Sequence, residues 1–529
     1  MIVVADDLGF SDLGCYGSEI STPNLDRLAG AGIRMSNFYS TPRCSPSRAS
    51  LLTGLHPHQT GVGILTNNDT PEGYRGDLNE RCVTIAEILR TAGYETAIRG
   101  KWHLATDMTT PNPAWPTFRG FDSFWGTLTG CGSYYQPGTL TRGTKDASDE
   151  AMDPEFFYTD RIADEAIAFL TGRAERAEEA PFFLYIPFTA PHWPLHARAE
   201  TIAHYENVYE AGWDAVRESR IQRQIDLGLL PADSTLSRRD ASVSAWEDEP
   251  EKAWQARRMQ VYAAQVEELD AAIGRVVKTI DGLEALDDTL FIFLSDNGAS
   301  DESVPLVELE RFRQRTDIVK TSTKDGRAVR IGNDPLVDPG PEDTYGSYGR
   351  SWANVSNTPF RLYKLWAHEG GISAPFIVHW PNGGLTGGRI IEAPYQLVNV
   401  MPTILEATGT TYPSDRDGVS VHPLPGGSML NVWLGDLAQP QRLWWEHVGN
   451  GAIHDGRWKL VRQYGWPWEL YEIGDDRIES VNLADQYPEI VADLAAEWES
   501  RCDLYDVLPF ERTLKRYHER GLSWKDAIG

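Results

Sequence analysis

Four short strand-like runs, three of them almost wholly apolar, each stop abruptly at polar residues, and this constrains the chain more than any other feature. Ile2-Val3-Val4-Ala5 stops at Asp6-Asp7, and Tyr94 to Ile98 leads into Gly100-Lys101-Trp102-His103. Pro181 to Phe188 feeds Thr189-Ala190-Pro191-His192-Trp193-Pro194, and Thr289 to Leu294 ends at Ser295-Asp296-Asn297-Gly298. Apolar runs without alternation are those of strands covered on both faces, as in a parallel sheet between helices. In such sheets ligands gather beyond the carboxyl ends of the strands. The pattern predicts an α/β fold whose polar strand ends converge on one site.

The intervening segments supply the helices. Thr22 is placed to cap a helix with Pro23 in its first position, and Gly32 ends it. Ile33 to Tyr39 reads as a second strand, followed directly by Cys44. Ser47 to Leu52 has helical character, which puts Cys44 near a helix N-terminus, where backbone N–H groups favour an anion. Thr84 to Ala92, Asp160 to Leu170, Tyr262 to Ile280 and Val400 to Gly409 read as further helices, the last tolerating Pro402 in its first turn. Pro375 to His379 is another strand. Residues 195–255 lack a strand signal and read as a helical insertion over the surface. Residues 300–350, polar and rich in Gly, Pro and Asp, are too long for a simple connection and read as a partly mobile rim to the site. After Gly435 the pattern alternates, as in Arg457-Trp458-Lys459-Leu460-Val461, which predicts an antiparallel sheet. The expected division is a large domain at 1–437 and a small α+β domain at 438–529.

Composition excludes whole classes of partner. The 529 residues are 41% hydrophobic and 24% charged, and 49 Lys and Arg against 77 Asp and Glu leave a net charge of −28. Such a charge repels nucleic acid and anionic membrane surfaces, and no apolar run approaches the ~20 residues needed to span a bilayer. An acidic protein acting on an anion must carry a local positive site. Five widely spaced cysteines, Cys15, Cys44, Cys82, Cys131 and Cys502, do not form a disulfide framework and point to a reducing, cytoplasmic setting. The chain opens inside a strand, so a late start and a lost leader, with a periplasmic location, stay open.

Single residues remain ambiguous by themselves. Asp6-Asp7 and Asp296-Asn297 could each be a turn or cap; two such strand ends in one chain favour a hard cation, which needs several oxygen ligands. Cys44 could be a buried structural cysteine or a thiolate, although 12 histidines offer no obvious partner. Lys101 and His103 could be a solvated loop, and His192 a packed loop histidine.

Read together, the stretches decide more. Cys44-Ser45-Pro46-Ser47-Arg48 with Leu51-Leu52-Thr53-Gly54, the run from Gly93 to His103, Thr189 to Pro194, Asp296-Asn297-Gly298, and Ser356 to Lys364 resemble the type I sulfatases in family order, and most closely the bacterial arylsulfatases. The resemblance implies an alkaline-phosphatase-like fold, with a large, mostly parallel sheet between helices and a small C-terminal antiparallel sheet. It implies that a maturation enzyme oxidises Cys44 to formylglycine, whose hydrate attacks a sulfate ester, and that Arg48 holds its hydroxyl. Asp6, Asp7, Asp296, Asn297 and the modified Cys44 are then ligands of Ca2+, with Mg2+ as the alternative. Lys101, His192 and Lys364 are the implied sulfate ligands, His192 also a proton donor, Asp296 the base and His103 a partner of the formylglycine. His368 and Glu369 shape the loop after Lys364. The expected activity is hydrolysis of small aryl sulfates. The rivals are a phosphonate or phosphate monoester hydrolase of the same superfamily and a non-catalytic anion-binding protein.

Overall fold

A computed structural model describes residues 1–70, 73–177 and 179–520. Its centre is a ten-stranded sheet in the order Arg389–Ile391, Ile33–Met35, Phe376–His379, Phe291–Ser295, Ile2–Ala5, Phe182–Pro187, Glu95–Arg99, Ser123–Thr127, Leu140–Arg142 and Lys145–Asp146. The five strands from Phe291–Ser295 to Ser123–Thr127 run parallel; Phe376–His379 and Leu140–Arg142 enter antiparallel, so the sheet is mixed but mostly parallel. All four runs that stop at polar residues are adjacent in this sheet, and their carboxyl ends lie together.

The first strand shows why its residues are continuously apolar. Ile2 and Val4 enter the core on one face and Val3 and Ala5 the core on the other, so no position along it meets water. One face is covered by helices Pro23–Ala31, Tyr158–Glu175 and Lys252–Gly282, the other by Cys44–Thr53, Ile85–Thr91 and Val400–Thr408. This three-layer α/β arrangement is alkaline-phosphatase-like. Beyond it, Leu443–His447, Asn450–His454, Trp458–Arg462 and Glu469–Glu472 form a four-stranded antiparallel meander. One face of the meander packs on Tyr39, Ala367 and Ile372, the other on helix Pro488–Leu504 through Leu494 and Trp498.

Several local expectations need correction. The run Ile33 to Tyr39 is two strands: Ile33–Met35 joins the large sheet, whereas Phe38–Tyr39 pairs with Tyr395–Gln396. Thr22 sits at the cap position but its hydroxyl accepts from Gly14 N–H and donates to Asp26 instead of closing the helix. The region 195–255 does hold helices Ala199–Ala203 and Gly212–Asp226, and the second presents one face to solvent while its other face is buried. Its Arg220 is fully buried and pairs with Asp12 at 2.6 Å and Glu19 at 2.8 Å. The rim at 300–350 has an apolar core of its own, where Val304, Phe312, Ile318, Val319 and Tyr345 close around Trp193.

Candidate active site

The site lies at the carboxyl ends of the four adjacent parallel strands, where backbone hydrogen bonds continue the ladders past the strand limits. Asp6 N–H donates to Ala190 O at 3.0 Å, Asp296 N–H to Ala5 O at 3.2 Å and Lys101 N–H to Pro187 O at 2.8 Å. Each strand therefore delivers its polar residues at one level. Two of them, Asp7 and His103, adopt left-handed backbone with φ of 62° and 55°. So do Leu362 and Leu365 around Lys364, at 63° and 89°, a conformation unfavourable for branched residues and held by the surrounding fold. Helix Cys44–Thr53 points its first residue into the same space.

Asp6, Asp7, Cys44, Arg48, Lys101, His103, His192, Asp296, Asn297 and Lys364 are brought together here. Lys101 Nζ donates to Asp6 Oδ2 at 2.6 Å and Lys364 Nζ to Asp7 Oδ2 at 2.9 Å. Arg48 holds Asp296 Oδ2 through Nε at 3.0 Å and Nη2 at 2.8 Å, and reaches Lys101 O through Nη1. Asn297 Nδ2 donates to Asp7 Oδ1 at 2.6 Å. His103 Nδ1 is 3.4 Å from Cys44 Sγ. His192 pairs Nδ1 with Trp193 O at 2.7 Å, and its Nε2 lies 3.3 Å from both Lys364 Nζ and Asp7 Oδ2. Gly130 makes room for His103: a Cβ there would stand 2.4 Å from the imidazole. His368 and Glu369 face away, toward the C-terminal meander, where Glu369 accepts from Lys459 Nζ at 2.7 Å.

Burial sets the electrostatics. It raises the pKa of Asp6 and pushes Asp296 up to about 6, the latter helped by the charge of Asp6 against Arg48 and Lys101. At Asp7 burial is outweighed by Lys364 and His192, and the carboxyl lies below its ordinary value. The Cys44 thiol is raised by burial despite Lys101 and Lys364, the opposite of an activated thiolate. Burial and then the surrounding cations push His103 well below the imidazole range, and His192 goes to about 4 for the same reasons, with Asp7 opposing.

Sequence reasoning missed four contributors. Glu302 reaches into the site: its Oε1 accepts from Arg43 at 2.8 Å, and its Oε2 accepts from Trp193 Nε1 at 2.7 Å and lies 3.4 Å from Lys364 Nζ. Asp301-Glu302, five residues past Asp296, was an available signal. Arg43, beside Cys44, was another. The third is Trp193 and the fourth is the wall segment Leu65–Asn67, which nothing in its residue types marks. Arg43, Lys101, Lys364 and Arg48 thus balance Asp6, Asp7, Asp296 and Glu302. Above them opens a narrow cleft of about 80 Å³, walled by Leu65, Met108, Leu306, Ile318 and Trp193.

Comparison with known proteins fits this geometry. The sulfatase family profile matches residues 1–410. The chain belongs to the sulfatase family. An uncharacterised sulfatase of Schizosaccharomyces pombe is 34% identical over 537 residues, covering 94% of this chain and 92% of the relative. An arylsulfatase of Klebsiella aerogenes is 33% identical over 453 residues, covering 82% of this chain and 91% of the relative. The profile of the C-terminal part of N-sulphoglucosamine sulphohydrolase matches residues 360–502. Among solved structures, Ps i-CgsB superposes with a TM-score of 0.69 at 22% identity, covering 99% of this chain and 98% of the other. The sulfatase is accordingly a sulfuric ester hydrolase, and among its described residues no helix is long and apolar enough to cross a membrane.

Proposed function

We propose that this sulfatase hydrolyses aryl sulfate monoesters, with Cys44 converted to formylglycine and one calcium ion held at the strand ends; magnesium is the alternative ion. The observation that carries the reading is a pair of buried oxygens, Asp6 Oδ1 and Asn297 Oδ1, that have no hydrogen-bond partner. Arg48 Nη2 comes no nearer to the first than 3.8 Å. Orphaned buried acceptors are costly, and a cation satisfies both. Asp6, Asp7, Asp296 and Asn297, with the modified side chain at 44, would hold it, an all-oxygen set that suits a hard ion. His192 comes close as well, its nitrogen and oxygens of Asp6 and Asp7 lying within 4.8 Å of one another, but Nε2 faces Lys364 and is better used on substrate.

When present, formylglycine would supply the attacking hydroxyl as its hydrate, and the cation would acidify it and offset charge on the sulfate. The chain's own residues do the rest. Lys101 and Lys364 present two fixed positive charges to the peripheral sulfate oxygens, in a water-poor site where such charges act strongly. Arg48 occupies Asp296 Oδ2, so Asp296 Oδ1 is the oxygen placed to take the attacking proton. Neutral His103 can accept a second proton from position 44 at Nδ1. With Nδ1 of His192 donating to Trp193 O, His192 protonates the leaving oxygen from Nε2 in its doubly protonated form, which a bound anionic ester favours, and it takes the proton back from solvent once the alcohol has left. The apolar cleft wall takes the aryl group.

Cys44 is 3% exposed, so the maturation enzyme must meet it before helix Cys44–Thr53 packs; that transient encounter is part of the proposal. So is a cytoplasmic location, consistent with five unpaired cysteines. The net charge of −28 disfavours nucleic acid and anionic membranes as partners. Mass spectrometry of the peptide containing Cys44, after expression with a maturation enzyme, should show the aldehyde, and matched aryl sulfate and aryl phosphonate esters should be cleaved in favour of sulfate. An unmodified cysteine in fully active protein would overturn the formylglycine reading. Faster phosphonate cleavage would overturn the choice of sulfate.

A further inference from the structure

Helix Phe510–Glu519 lies beyond both family matches, which stop at residues 410 and 502. It is nevertheless fastened to the active-site side of the molecule. Phe510 is buried in one apolar cluster with Cys44, Ile64, Leu65 and Val448. Tyr517, 2% exposed, donates its hydroxyl to Asp69 Oδ2 at 2.9 Å, and Arg520 stands 3.6 Å from Asp69 Oδ1. Just before the helix, Leu508 N–H donates to Tyr74 Oη at 2.6 Å.

These contacts converge on one irregular segment. Between Ile64 and Asp69 the backbone belongs to no helix or strand, and Leu65, Thr66 and Asn67 line the cleft. A loop without a ladder has its shape fixed by side-chain anchors, and Asp69 is such an anchor: its carboxylate is buried and its backbone N–H closes the loop on Tyr74 O at 3.0 Å. Leu65 carries both relations, belonging to the apolar cluster of Phe510 and lining the cleft. The elements that would bind sulfate, Lys101, Lys364 and His192, come from strand ends and from the Lys364 loop and share no hydrogen bond with the helix.

We infer that the C-terminal helix Phe510–Glu519 sets which alcohol the cleft accepts, with Tyr517 a positioning residue that acts through Asp69 on the wall Leu65–Asn67. The inference rests on the reading of the cleft as the aryl sulfate site. The cleft is lined by Leu65, Met108, Leu306 and Ile318 and also by the polar Thr66, Asn67 and Arg315, and the alcohol that feels the position of the Leu65–Asn67 wall is a phenol larger than a single ring. A smaller phenol meets less of that wall.

The test compares Tyr517→Phe and Asp69→Ala, each in the full chain, on 4-nitrophenyl sulfate and on a fused-ring aryl sulfate, with inorganic sulfate as competitive inhibitor. For the fused-ring ester KM should rise about three- to tenfold, the reach of one lost hydrogen bond, while kcat on both esters and the inhibition constant of sulfate stay within about twofold. The double variant should match the single ones, because both remove the same bond. Unchanged KM for both esters in a folded variant would overturn the inference, as would an equal loss on both esters with a parallel loss of sulfate inhibition. If the wild-type chain bearing formylglycine at position 44 cleaves no aryl sulfate at all, it is the reading of the cleft that fails. A selective wild type with equally selective variants fails the helix alone.

Discussion

The segment 361–372 takes part in two buried ionic clusters, and they are built differently. Lys364 belongs to the first, where four cations balance four carboxylates at the base of an open cleft and two oxygens, on Asp6 and Asn297, are left without hydrogen-bond partners. Arg361, His368 and Glu369 belong to the second, beneath the C-terminal meander. There Lys459 Nζ stands 2.7 Å from Glu369 and 2.9 Å from Glu479, Arg477 closes on Glu369 at 3.4 Å, and Arg361 pairs with Glu469. In the first cluster the carboxyls are split, burial raising Asp6 and taking Asp296 to about 6 while the cations hold Asp7 and Glu302 below their ordinary values; in the second, burial at Glu479 is outweighed by Lys459, His368 and Arg361. The first is poised for charge it does not itself contain. The second pairs its carboxylates with its own cations, although the His368 ring nitrogens and the Nε atoms of Arg361 and Arg477 have no hydrogen-bond partner, and its product is the shape of the loop that carries Lys364.

The largest effect should come from the first cluster. Asp6→Asn keeps an acceptor for Lys101 but removes a ligand charge, so metal content and turnover should fall together, turnover by at least about 10³-fold, with the fold intact. Stoichiometric metal in an inactive variant would erase the distinction between the clusters. Next in size is Lys459→Met, which leaves Glu369 and Glu479 buried with only the longer contacts of Arg477 at 3.4 Å and Arg361 at 3.6 Å. Breaking a buried pair in this way costs about 3–5 kcal/mol, so thermal unfolding should shift strongly downward while kcat/KM per folded molecule changes far less. A normal melting curve with lost activity would move Lys459 into the chemistry.

The two clusters were not equally legible in the sequence. Asp6, Asp7, Lys101, His103, His192 and Asp296 stand at or just past strand ends, where chemistry collects in an α/β sheet, and the strands announce themselves by unbroken apolarity. That logic, with the resemblance carried by the Cys44 stretch, reached the residues that the structure brings together. Glu302 escaped because it stands in a segment whose polarity reads as loop, although its neighbours Trp193 and Arg43 give it a fixed place. Lys459 escaped because an alternating strand hides one buried cation among surface charges; only the pairing of its strand with Glu469–Glu472 shows which side is inside. Within the helices expected at 195–255 the buried face was not legible, since Arg220, a charged residue by type, is the buried partner of Asp12.

A finer test lies within the first cluster. General acid catalysis matters most when the departing alcohol is basic and is typically worth ~10²–10⁴-fold, so His192→Ala should slow esters of unactivated phenols far more than nitrophenyl sulfate. The slope of log kcat/KM against leaving-group pKa should steepen, above a uniform loss from weakened sulfate binding. A uniform loss with an unchanged slope would give the proton to Lys364, which already stands 3.3 Å from Nε2.

The smallest effect belongs to the second cluster and is read through pH. Glu469 lies at about 2, because His368 and Arg361 together with the Tyr471 hydroxyl outweigh the upward push of burial; unfolded, a glutamate titrates near ~4.3. A carboxyl whose folded value is depressed contributes stability that is fully present above the unfolded value and lost as pH falls toward the folded one. The contribution of Glu469 should therefore be whole at neutral pH and vanish as pH falls from about 4.3 to 2. In Glu469→Gln there is nothing to titrate at this position, so the variant should melt below wild type at pH 7 and the two melting curves should converge as the medium is acidified across that window. The loop it helps to hold carries Lys364, yet turnover at neutral pH should change little, because Lys459 and Glu369 still pin the same segment. Parallel curves, with a constant offset down to pH 2, would show that Glu469 acts by packing and hydrogen bonding alone and would remove it from the charged cluster.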